Sequence, residues 1–180
     1  VGDAGDPVSR GDSYSIVPLA EDHVAAVVAI IDRSRREYGV DQRVESVIEP
    51  SDRDLVGTYS HRRSCYFVAL HGGTVVGGAG ISPLAGQELT ICELQRMYLD
   101  VAHRHHGAGH QLLLNCLQAA QGFGYQKCYA ETIQPMQQAI RFYEAHGFRQ
   151  LAAPIGATGH SHNDCWLIRD LSSTLSSRPA

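Results

Sequence analysis

Several things are missing or scarce in this chain. No apolar run approaches the length needed to cross a membrane. Basic residues are no surplus: 15 Lys and Arg stand against 19 Asp and Glu, a formal net charge of −4, which argues against a general nucleic-acid-binding surface. The five cysteines, at 65, 92, 116, 128 and 165, are odd in number, widely spaced and mostly set in apolar runs, unlike the disulfide framework of a secreted domain. Buried reduced thiols in a cytoplasmic protein are the expectation. The N-terminal Val-Gly-Asp-Ala-Gly-Asp-Pro is polar and acidic and does not read as a signal peptide. Linkers and internal repeats are absent.

What is present suits one globular domain. At 180 residues, 43% apolar and 19% charged, the chain can bury a sizeable core. The domain is expected over residues 12–171, with flexible tails at 1–11 and 172–180. Ten histidines invite a metal hypothesis. His103, His105, His106 and His110 cluster near one glycine turn, and His160 and His162 lie near Cys165. Neither group has the spacing of a tetrahedral zinc site, so no metal is expected.

Hydrophobic periodicity gives the element order β-α-α-β-β-β-α-β-α-β-β. A strand over 13–19 precedes a helix from Glu21 to about Tyr38, with Val24, Val27, Val28 and Ile31 on one stripe and Gly39 ending it. Residues 51–59 read as a short helix capped by Ser51 or a neighbouring aspartate. Residues 65–81 read as a hairpin around His71-Gly72-Gly73-Thr74. Gly77, Gly78 and Gly80 in its second strand suggest close approach of another backbone or a ligand. A central strand spans 90–99, a helix 107–122 and a strand 127–132. Pro135 is placed to open a helix running to about His146, before two closing strands at 148–152 and 165–171. The fold class is therefore mixed α/β with a largely antiparallel sheet.

The most informative stretch is 89–117. Its R-x-x-G-x-G turn, Arg104 to Gly109, follows an extended apolar run and opens a helix. Such a turn aims backbone N–H groups at one spot at the positive end of a helix, which suits a pyrophosphate. It is not a dinucleotide fingerprint, because Leu112 stands where a third small residue belongs, and Gly109-His110-Gln111 does not end as a P-loop does. Glycines between a strand and a helix also serve as plain connections. Histidines beside the turn suit phosphate, where a partly protonated imidazole is favourable.

The turn resembles the cofactor signature of the GCN5-related N-acetyltransferase family. Residues 139–148, Ala-Ile-Arg-Phe-Tyr-Glu-Ala-His-Gly-Phe, are similar to that family's second hallmark, a tyrosine one turn before a Gly-Phe pair. The resemblance implies an acyl-CoA N-acyltransferase fold and transfer of an acetyl group from acetyl-CoA to a primary amine by direct attack. It implies that Met97, Tyr98 and Leu99 offer backbone hydrogen bonds to the pantetheine arm and the acyl oxygen. It implies that Arg104, His105, His106, Gly107, Ala108, Gly109 and His110 wrap the pyrophosphate. Many members carry an asparagine at the position of Met136; with methionine the usual side-chain contact to the arm is not expected, backbone contacts to it stay open, and the alternative is packing against the neighbouring helix. Tyr143 would protonate the leaving thiolate, the alternative being a core aromatic with a satisfied hydroxyl. Glu93 is the candidate base, the alternative being an ion pair with Arg96 or a neighbouring strand; Glu131 is a second candidate. Acceptor-lining candidates are 38–44, 80–83 and 154–166. The expected partners are a small-molecule or peptide amine, with a homodimer compatible and neither nucleic acid nor membrane expected. The rival reading is a non-catalytic acyl-CoA sensor or interaction domain on the same fold.

Overall fold

A computed structural model describes residues 13–40 and 49–172 of the chain. The expected tails therefore lie outside the described residues, apart from Ser172. The elements in chain order are β1 Tyr14–Pro18, α1 Glu21–Glu37, α2 Pro50–Arg53, α3 Leu55–Tyr59, β2 Cys65–His71, β3 Thr74–Pro83, β4 Ile91–Leu99, α4 Ala108–Gly122, β5 Lys127–Thr132, α5 Gln137–Ala145, β6 Arg149–Leu151 and β7 Cys165–Asp170. A 3-10 turn, Val101–His103, follows β4.

The seven strands form one sheet in the order β1-β2-β3-β4-β5-β7-β6. Every pairing is antiparallel except β4 with β5. β7 inserts between β5 and β6, an arrangement that the chain order alone does not give.

Each face of the sheet carries its own core. On one face α4 presents the stripe expected from its sequence: Leu112, Leu113, Cys116, Leu117 and Ala120 are all fully buried. Tyr143 of α5 joins the same cluster. On the other face Val27 and Ile31 of α1 pack with Leu55 and Tyr59 of α3 against Tyr66 and Val68. The five cysteines are free thiols and four of them are buried, as expected of small hydrophobes in a core. Among the described residues no helix is long and apolar enough to cross a membrane.

Local differences have local causes. The 51–59 segment is two short helices, because Asp54 leaves the helical conformation and caps α3 by accepting from the Gly57 N–H at 3.0 Å. α5 begins at Gln137, so Pro135 lies in the turn before it rather than in its first turn. The glycines of β3 do answer to close approach. A Cβ at Gly77 would sit 2.5 Å from the Tyr98 carbonyl, and at Gly78 and Gly80 it would meet the rings of Tyr66 and Tyr59. Gly80 thus makes room for core aromatics, and residues 80–83 line neither of the two cavities at the site.

Candidate active site

β4 and β5 part company midway. Their parallel pairing ends at Leu94 with Ala130, yet β4 runs on to Leu99 and β5 to Thr132, where β7 holds it. The β5-facing edge of residues 95–99 therefore has no strand partner. A bulge marks the point of departure. Gly78 pairs with Tyr98 but Gly80 pairs with Gln95, and Arg96 adopts a left-handed φ of 50°. Buried backbone groups need partners, so an unpaired edge next to a cavity is a place for a ligand that can act as a strand.

A cavity of about 320 Å³ opens along that edge. Met97, Tyr98 and Leu99 form one side, Gly107 and Gly109 the end, and Phe142 and Tyr143 the other side. Gly107 caps α4 at φ 91°, a conformation that favours glycine, and a Cβ there would meet nothing within 4 Å. The turn thus leaves open space in front of the first N–H groups of α4. His105 is also left-handed, at φ 66°.

The Arg104 guanidinium is held by protein groups. It makes two 2.7 Å hydrogen bonds to the Glu37 carboxylate and a third, through Nε, to the Leu99 carbonyl at 3.2 Å. Its role in the structure is to anchor the turn to the end of α1. His110 stands 2.8 Å from His146, whose other ring nitrogen meets the Phe142 carbonyl at 2.7 Å. That nitrogen of His146 must be the donor, so with a neutral His146 ring it is His110 that donates to the other nitrogen. Of the four turn histidines, His105 and His110 line the cavity, while His103 turns to the Tyr14 hydroxyl at 3.2 Å.

A second, smaller cavity of about 80 Å³ adjoins the first. The two share Met97, Tyr98, Met136, Ala139 and Tyr143. Met136 thus stands at the junction, its sulfur accepting from the Thr132 hydroxyl at 3.4 Å. Tyr143 is 7% exposed and its hydroxyl makes no hydrogen bond among the described residues. Burial pushes the phenol well above its usual pKa.

Glu93 faces the smaller cavity and is 4% exposed. Burial raises its pKa, against the hydrogen bond that Gln95 donates at 2.7 Å. Arg96 is not its partner. That guanidinium turns to fully buried Asp52 at 2.5 Å, to Ser51 at 2.6 Å and to Glu49 at 3.5 Å. Arg35 of α1 reaches the other Asp52 oxygen at 2.6 Å. Burial works to raise the pKa of Glu131 as well, but His160, Asn163, Thr158 and Tyr129 outweigh it and hold the group below the usual range. Asn163, Thr158 and Tyr129 each donate to it at 2.9 Å.

His160 joins the carboxylates. It lies 3.7 Å from Glu131, 3.7 Å from Glu49 and 4.0 Å from Glu93. Glu131 and Glu49 push its pKa up to about 10, so it is an imidazolium at neutral pH. In return His160 leads the groups that pull Glu49 down to about 2. The donor atoms of Glu93, Glu131 and His160 lie within 4.8 Å of one another, a spacing that a cation could bridge. The protonated imidazole puts one positive charge against the two carboxylates there.

The candidate residues are thus gathered around two joined cavities, with the cofactor set along the larger, except His106, which does not line it, and Ala108, which is buried in the core, and with Glu93 and Glu131 on the smaller. Of the proposed acceptor linings, Val40 and the stretch containing His160, His162 and Asn163 reach the smaller cavity. Residues 41–44 lie outside the described residues. Sequence reading missed Glu49, Asp52 and Arg35, which carry no local signature.

This architecture and site belong to a known class. Residues 22–148 match the acetyltransferase (GNAT) family, and the chain belongs to that family. It is similar to an uncharacterized N-acetyltransferase of Escherichia coli (strain K12), YjgM, being 36% identical over 81% of this chain and 88% of that protein. Its fold resembles an acetyltransferase of the GNAT family from Staphylococcus aureus Mu50, with a TM-score of 0.78, 18% identity and coverage of 89% and 100% of the two chains. It also resembles the PaiA N-acetyltransferase of Thermoplasma acidophilum in complex with coenzyme A, with a TM-score of 0.69, 18% identity and coverage of 88% and 99%. The protein is an N-acetyltransferase.

Proposed function

We propose that this chain moves an acetyl group from acetyl-CoA to a primary amine by direct attack, with Glu93 as base and Tyr143 as acid. The observation that carries this reading is the meeting of two cavities at Tyr143, one along an unpaired strand edge and one lined by carboxylates. The larger cavity fits a CoA-type ligand. Its open strand edge at 97–99 would hold an amide-bearing arm, and the turn at 104–110 would hold the pyrophosphate through backbone N–H groups. When bound, acetyl-CoA supplies an acyl group activated as a thioester.

The chain's own groups do the rest. Glu93 takes a proton from the amine, whose nitrogen attacks only when neutral. Its raised pKa matches it better to that task than an ordinary carboxylate. Backbone N–H groups next to the bulge at Arg96 polarise the acyl oxygen. Tyr143 holds a proton at the junction, where a leaving sulfur needs one. A free phenol has a pKa of ~10 and a free thiol ~8.5, and burial holds Tyr143 higher still, so its proton stays on the phenol until the thiolate needs it. The unpartnered Tyr143 hydroxyl faces the junction of the two cavities, where a bound ligand would meet it. The test is release of free CoA thiol from acetyl-CoA across a panel of amines, each with a no-enzyme control. Amine-dependent release is expected; measurable CoA binding with no release for any amine would favour the sensor.

A further inference from the structure

Among the described residues, the charges around the smaller cavity do not balance. Three cationic groups, Arg35, Arg96 and His160, face four carboxylates, Glu49, Asp52, Glu93 and Glu131. The positions matter as much as the numbers. Both guanidiniums are turned onto Asp52, which lies fully buried behind them, and both also reach Glu49. His160 sits between Glu49 and Glu131. Each of these cations therefore already answers a carboxylate. Glu93 has only the neutral amide of Gln95 at 2.7 Å, and the more distant His160 at 4.0 Å. The charge left over is negative, and it lies on the cavity wall next to Tyr143's junction.

We propose that the acceptor is a cationic amine on a slender aliphatic arm, with no carboxylate beside the reacting nitrogen: an alkylamine, diamine or lysine-type side chain rather than an α-amino acid. This rests on the N-acetyltransferase reading of the same site. An incoming ammonium supplies the charge that Glu93 lacks. An α-carboxylate would arrive beside Glu93 and Glu131, and none of the described cations is unclaimed to receive it. Like charges in a partly desolvated cleft repel strongly. The size of the cavity points the same way. About 80 Å³ is roughly the volume of two or three waters, enough for an amine and its first carbons. A larger acceptor would insert only that arm.

The test compares pentylamine with norleucine, which differ only in the carboxylate, and adds a diamine. Pentylamine, 1,5-pentanediamine and norleucine are titrated into the enzyme saturated with CoA, and thiol release is followed separately with acetyl-CoA. The two amines are expected to bind about tenfold or more tightly than norleucine, and Glu131→Gln is expected to narrow that gap. Norleucine binding as tightly as pentylamine would overturn the proposal. So would CoA binding normally while none of the three ligands binds. Binding with the expected preference but without thiol release leaves this account of the pocket standing and contradicts the transferase reading instead.

Discussion

Arg104 and Glu37 form a two-toothed ion pair, Nη1 to Oε1 and Nη2 to Oε2, each at 2.7 Å, that ties the glycine turn to the last residue of α1. The arginine of the R-x-x-G-x-G signature is thereby a strut, and on the proposed reading the phosphate contacts fall to backbone N–H groups. Glu37→Gln should weaken CoA binding through turn position alone. Glu37 is partly exposed, so the effect is modest: about 1 kcal/mol, or roughly fivefold in Kd, and smaller in high salt. Calorimetric titration with CoA at two salt concentrations checks it.

On the proposed mechanism Glu93 sets the acid limb of the pH profile. Its pKa is raised by burial, so the base is lost as pH falls through a value above the ordinary carboxylate range. Glu93→Gln should lower kcat by about 10²-fold or more and remove that limb. Stability should move the other way. A carboxyl with a raised folded pKa favours folding below its unfolded pKa, and this benefit is lost as pH rises through the folded pKa. At neutral pH the glutamine variant should therefore melt no lower than wild type, as thermal unfolding at pH 7 will show.

Asp52 is expected to be the most costly single loss on the acceptor side. It is fully buried and receives both Arg35 and Arg96. Asp52→Asn leaves two largely buried guanidiniums facing a neutral amide. Breaking such an arrangement from one side costs about 3 kcal/mol or more. Urea denaturation should show a clearly lowered midpoint.

A bulky side chain at Gly109 should close the larger cavity. A Cβ there would lie 3.2 Å from Leu99 and 3.8 Å from both Met97 and Phe142. Gly109→Trp is expected to give no binding heat at CoA concentrations that saturate the wild type, with the far-UV circular dichroism unchanged.

Much of this was legible in the chain because it is local. The apolar stripe of α4, the hairpin at 65–81 and the glycine turn all depend on spacings of a few residues, and they lie where periodicity put them. The placement of β7 between β5 and β6 was not legible, since it is a choice among distant partners. Arg96 shows the limit at a single residue. Its sequence position suggested a partner for Glu93, but the left-handed bulge swings it to Asp52 instead. The His160 cluster draws on α2, β4, β5 and the loop before β7, so no window of sequence contains it. Only the density of polar residues in 154–166 hinted that the loop had a task.

The most direct test of the account is the turnover of Tyr143→Phe, because Tyr143 stands where the two cavities meet. The change removes a hydroxyl that has no described partner, so folding and CoA affinity should stay within about twofold of wild type, while kcat falls by about 10²-fold or more. A Tyr143→Phe enzyme that binds CoA normally and turns over at the wild-type rate would contradict the assignment of Tyr143 as the acid and, with it, the junction as the place of transfer.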